Sequence, residues 1–140
     1  MTKQKPPKPT RGQLERTLSQ QFQKLYREHL GHSTGKVCCE LSENRLTIIV
    51  EDSLTQPEKL LLEKSDSKLT EQVRDDLDEA IRPEIIKLVE GVLDQKVADI
   101  MSDTTLETGR TGVMVVLADE AEAPTSEAAN TIEVDFDKAS

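Results

Sequence analysis

His29 and His32 stand three residues apart, and two imidazoles are a first place to look for metal or acid–base chemistry. No carboxylate or thiol lies between them to complete a ligand set, and Glu28, beside His29, faces another way on a helix. They read as two exposed polar residues. Cys38 and Cys39 are adjacent. On a strand, neighbours point to opposite faces. A disulfide between neighbours is strained, and metal sites use separated ligands. One buried thiol and one half-exposed thiol are therefore expected.

Thr108-Gly109-Arg110-Thr111-Gly112 has the composition of a small anion nest, but a hairpin turn accounts for the same glycines. Residues 58–90 hold ten acids against six bases, with Asp75, Asp76, Asp78 and Glu79 clustered. Carboxylates suit hard cations, yet this spacing is not that of an EF-hand loop, and a solvated acidic helix face is expected. No G-x-S-x-G elbow, P-loop or dinucleotide fingerprint occurs. No catalytic, cofactor-binding or metal-ligating residue is assigned, and a non-catalytic protein is expected.

These residues must be held by a simple series of elements. Leu14, Leu18, Phe22, Leu25, Tyr26 and Leu30 recur at helical steps, so residues 12–30 read as a helix ended by Gly31. Val37, Cys39 and Leu41, then Leu46, Ile48 and Val50, alternate as two strands around a turn at 42–45. Thr55 and Glu58 form a capping-box pattern that opens a helical stretch from Pro57 to Leu93. A break is expected near 64–67, where Ser65, Asp66 and Ser67 are weak helix formers, and Pro83 is a second candidate kink. Val73, Leu77, Ile81, Ile85, Leu88 and Val92 are expected to form its apolar stripe. Strands near 97–104 and 113–118 follow, the latter apolar on both faces and hence internal.

The fold class is therefore α+β, in the order α-β-β-α(α)-β-β. A four-stranded, mainly antiparallel sheet should carry helices on one face. The other face would hold Cys38, Thr47 and Ile49 with either Met114 and Val116 or Val113 and Val115. That mixture is too apolar to be simply wet, so a homodimer is expected.

Charge divides the chain of 140 residues into three parts: an arm at 1–10, a body at 11–118 and a tail at 119–140. Residues 1–11 carry Lys3, Lys5, Lys8 and Arg11 and no acid; residues 119–140 carry seven acids against Lys138. Both ends are expected to be disordered, although 131–137 alternates like an edge strand or docking peptide. A net charge of −9 repels phosphate backbones, so only the arm could favour nucleic acid. No apolar run approaches the length of a membrane span, and no secretory h-region opens the chain. A soluble, cytoplasmic protein is expected.

Residues 11–118 resemble the MpsC-like family. The resemblance is carried by Gly12-Gln13-Leu14-Glu15, by Tyr26-Arg27-Glu28-His29-Leu30-Gly31, and by Thr55-x-Pro57-Glu58-Lys59. Ile81-Arg82-Pro83-Glu84, Ser102-Asp103 and Thr108-Gly109 complete it. Where the family often has a Gly-x-Gly-Pro turn, this chain reads Gly31-His32-Ser33-Thr34-Gly35. The resemblance implies an accessory or regulatory protein of a membrane system that couples sodium and inorganic carbon to membrane energisation. It would dock on integral transport partners. Exposed polar residues at element ends, Arg27, Arg82, Glu84, Asp103 and Arg110, are the candidate docking positions. A small-ligand-sensing dimeric regulator and an arm-mediated nucleic-acid regulator are the other readings.

Overall fold

The computed structural model describes residues 8–64 and 66–118. The expected arm and tail fall almost wholly outside those residues. The elements run α1 (Arg11–Leu30), β1 (Val37–Ser42), β2 (Arg45–Val50), α2 (Gln56–Glu63), α3 (Ser67–Leu93), β3 (Val97–Thr105) and β4 (Arg110–Leu117). The strands form one antiparallel sheet in the order β1-β2-β4-β3, so β4 is internal as its composition requires.

Local chemistry sets the boundaries. Thr10 caps α1 in a reciprocal box with Gln13. Gly31 ends α1 in the left-handed region at φ 62°, and the amides of Gly31 and His32 close on the carbonyls of Arg27 and Tyr26. Thr55 and Glu58 form the expected box at α2. Lys64 ends α2 and Asp66 caps α3 by accepting the Leu69 amide, which places the break inside the expected interval. Pro83 lies within an uninterrupted α3.

The helices cover one face of the sheet. Leu18, Phe22 and Leu25 of α1 and Ile81, Ile85 and Val89 of α3 close over Leu46, Ile48, Val50, Val113 and Val115. α3 lies along edge strand β3: Asp78 accepts from Thr104, Arg82 donates to Ser102, and Glu90 accepts the Val97 amide. On the opposite edge, Glu15 of α1 accepts the Leu41 amide at 2.7 Å. Each edge strand thus has a helix carboxylate on one of its amides, which blunts it against further pairing.

The apolar stripe of α3 departs from the expected one in its first half. The buried residues there are Thr70, Arg74 and Asp78, while Val73 and Leu77 are half-buried to one side. Only from Ile81 onward does an apolar row, Ile81, Ile85 and Val89, face the sheet. α3 is 27 residues long, about 40 Å, against about 30 Å for the nine residues of β3. Because Asp78 already meets Thr104 near the end of β3, residues 67–77 overhang the sheet. Among the helices and strands, α2 packs only against α3.

Candidate functional site

The densest chemistry lies where the overhang joins the body. Arg74 and Glu58 are 2% and 0% exposed, and Tyr26, Ser53, Thr111 and Asp78 are buried beside them. A guanidinium carries five N–H donors in a planar fork. Nε of Arg74 donates to Glu58 Oε2 at 2.8 Å, and Nη2 donates to Glu58 Oε1 at 3.0 Å and to the Ser53 carbonyl at 2.6 Å. Nη1 donates to Asp78 Oδ1 at 3.2 Å and to the Tyr26 hydroxyl at 3.4 Å. All five donors are used. Glu58 Oε1 also accepts from the Thr55 amide and hydroxyl, so the helix cap and the ion pair share one carboxylate.

A hydroxyl relay extends the cluster. Thr104 donates to Asp78 Oδ2 and lies 2.6 Å from the Thr111 hydroxyl. Thr111 lies 2.7 Å from the Ser53 hydroxyl, which donates to the Gly109 carbonyl. The network therefore ties α1, the loop after β2, α2, α3, β3 and β4 at one point.

Burial pushes the Asp78 carboxyl above its ordinary range, although the Arg74 charge and hydrogen bond oppose the shift. It pushes the Tyr26 hydroxyl up as well, again against the pull of Arg74. Burial would lower the pKa of Arg74, but Tyr26, Glu58 and Asp78 outweigh it, and Arg74 is held more firmly protonated. These groups are spent on one another, and the work this arrangement performs is to fix one helix pair on the body.

Sequence reasoning missed this cluster. It took Asp78 with Asp75, Asp76 and Glu79 as a solvated face; the last three are exposed, but Asp78 is buried against Arg74. The available signal was the i, i+4 pair Arg74 and Asp78 on the row that continues to Ile81 and Ile85.

The overhang presents the other notable feature. Leu60 is 54% exposed and Leu69 45%, and Leu61, Leu62, Val73 and Leu77 are half-buried outside the main core. Lys59, Glu63, Lys68 and Glu71 stand among them in the chain.

The five candidate docking residues do not gather into one site. Arg27 is exposed in the last turn of α1. Arg82 is half-buried, bonded to the Ser102 hydroxyl at 3.2 Å, with its buried Nε lacking an acceptor. Glu84 lies 3.9 Å from His29 and 3.7 Å from Lys87. Asp103 and Arg110 share the uncovered sheet face, where Arg110 Nε donates to both Glu51 oxygens at 3.0 Å.

The other candidates resolve simply. His32 bonds the Asp52 carbonyl at 2.7 Å. Cys38 is exposed and Cys39 buried, both as free thiols. The amides of Gly109 and Arg110, which a nest would need, bond to Thr105 and Thr108. A shallow cleft of about 270 Å3 between α1 and α3 is lined by Lys24, Glu28, His29, Glu84 and Lys87, with Lys24 paired to Glu28 and Lys87 to Glu84. Among the described residues, no group of three or more His, Cys, Asp or Glu could hold a metal ion, and no helix is long and apolar enough to cross a membrane.

The family model described as "Na+-translocating membrane potential-generating system (MpsC)" matches residues 10–119. The chain belongs to the MpsC family. Its matched segment covers every helix and strand described above, so the Arg74 cluster and the overhang lie within the family domain. No curated protein and no solved structure matches this MpsC-family chain.

Proposed function

We propose that this MpsC-family chain is a soluble, cytoplasmic, non-catalytic accessory or regulatory protein that binds integral components of a Na+-translocating membrane potential-generating system. The observation that carries the reading is the overhang, a helical hairpin that presents Leu60 and Leu69, is held together by the buried Arg74–Glu58 pair and is fixed to the body by the bonds of Arg74 to the Ser53 carbonyl and the Tyr26 hydroxyl. Exposed leucines on a short helix pair are the kind of side chain that a partner helix or groove covers. Fixing that surface in advance lowers the ordering cost of binding. The family description supplies the system in which the partner is sought.

The test is affinity capture from gently solubilised membranes with three baits: the full chain, residues 11–118, and the full chain carrying Leu60→Asp with Leu69→Asp. The reading expects an integral transport protein on the first two baits and its loss from the third. Recovery of only soluble proteins or nucleic acid, through the full chain alone, would overturn it and favour action through the basic arm.

A further inference from the structure

Among the described residues, nothing covers the sheet face turned away from the helices. Its two central cross-strand rows are Thr47, Met114 and Met101, then Ile49, Gly112 and Asp103. Met101 and Met114, paired in register, are 46% and 45% exposed, while Thr47, Ile49 and Val116 are half-buried. Arg45 and Asp99 flank this centre in the row of Val116, and Glu51 and Arg110 flank it on the other side.

We propose that this face is a two-fold interface with a second copy of the chain, in which Met114 of each protomer seats over Gly112 of the other.

A closed dimer places one patch on itself. Two face-to-face arrangements keep the strands aligned, as packed sheets prefer. With the axis along the strands, β1 lies over the partner's β3: Glu51 comes opposite the partner's Arg110, but Glu40 comes beside the partner's Asp99 and Asp103, acid beside acid, and Arg45 and Asp99 find no opposite charge. With the axis across the strands, each strand lies over its own copy and the rows invert. Arg45 then comes opposite the partner's Glu51, and Asp99 comes beside the partner's Arg110, each contact made twice. The second arrangement pairs more opposite charges and sets no acid beside another across β1, so the charges favour it. In it the methionine row lies over the row containing Gly112, whose missing side chain leaves room for the thioether.

Size supports the same occupant. Four strands of six to nine residues, about seven on average, span roughly 19 by 24 Å, on the order of 450 Å2 per copy and 900 Å2 in all. That is near the lower limit for a stable complex, so the dimer should have modest affinity. A methionine pair at its centre is a surface that adapts on packing.

The experiment is sedimentation equilibrium of the full-length chain over a wide concentration range, with chemical unfolding of every variant to verify its fold. Wild type should reach twice the 15.6 kDa chain mass. Met114→Asp should weaken the dimer about thirtyfold or more. A side chain at 112 meets only an ordinary 3.6 Å contact with Ile49 inside the protomer. Gly112→Leu should therefore fold yet dissociate the dimer, and adding Met114→Ala should restore it. The Cys38 backbones would lie roughly 12 Å apart across the interface, so a short bismaleimide should join them.

A wild-type chain that stays monomeric overturns the proposal. So does a dimer indifferent to Met114→Asp, or one dissolved by Leu60→Asp instead. A monomer whose Met114→Asp form loses capture of a membrane component would place that partner on the face, and would overturn it too.

Discussion

Arg74 and Glu58 meet through two parallel hydrogen bonds of 2.8 and 3.0 Å with almost no exposure to solvent. Taking both charges out of water is costly, and the geometry offsets that cost only because every remaining donor and acceptor is also paired. The pair bridges α2 and α3, and α2 packs against no other helix or strand. Removing one partner should therefore leave an uncompensated buried charge. Glu58→Gln and Arg74→Met should each cost about 3–5 kcal/mol in urea unfolding, and the double variant Glu58→Gln with Arg74→Met should cost clearly less than the sum of the two.

Tyr26 is the only tyrosine, so ultraviolet titration reads it directly. Burial holds its pKa above the ordinary value and Arg74 opposes the shift. The native chain should ionise later than the unfolded one. The stability linked to this group is complete below the unfolded pKa and is lost as pH rises through the raised folded value. Alkaline titration should therefore report ionisation together with loss of the fold, and an absorbance curve at the ordinary tyrosine position would contradict this account.

Asp78 gives a second, acid-side signature. Its folded pKa is raised by burial, with Arg74 and Thr104 lowering it in part. Its contribution is complete below the unfolded pKa and falls as pH rises through the folded one. In denaturant series across the acid range, wild type should exceed Asp78→Asn by most at the lowest pH. The gap should narrow as pH rises.

The Glu15 carboxylate on the Leu41 amide guards the edge of β1. Glu15→Ala should cost about 1.5–3 kcal/mol, because a charged acceptor is lost from a backbone donor. It should also expose an unpaired edge, read as faster aggregation in light scattering. Equal stability and no aggregation would assign the edge's protection to the packing of α1 alone.

The element order was legible in the residues themselves. Alternation at 37–41 and 46–50, the capping box at Thr55, the weak helix formers at 65–67 and the glycine after Leu30 act over a few positions, where propensity and capping decide the outcome. The inward side of β1 and β2 followed from the same alternation, whereas β4, apolar on both faces, left its side open until packing turned Val113 and Val115 to the helices. The internal place of β4 was legible from that same apolarity.

The site was not legible. Glu58 showed only its local role as a capping residue, and Arg74 and Asp78 looked like ordinary charges on a polar helix. Their burial depends on α2 folding back along α3, which brings residue 58 beside residue 74, and on Thr104 and Ser53 arriving from distant parts of the chain. Burying a charge is favourable only when several partners converge. That convergence is a property of the tertiary structure, and it displaced the apolar stripe expected at Val73 and Leu77 to the side, where it borders the overhang's exposed leucines.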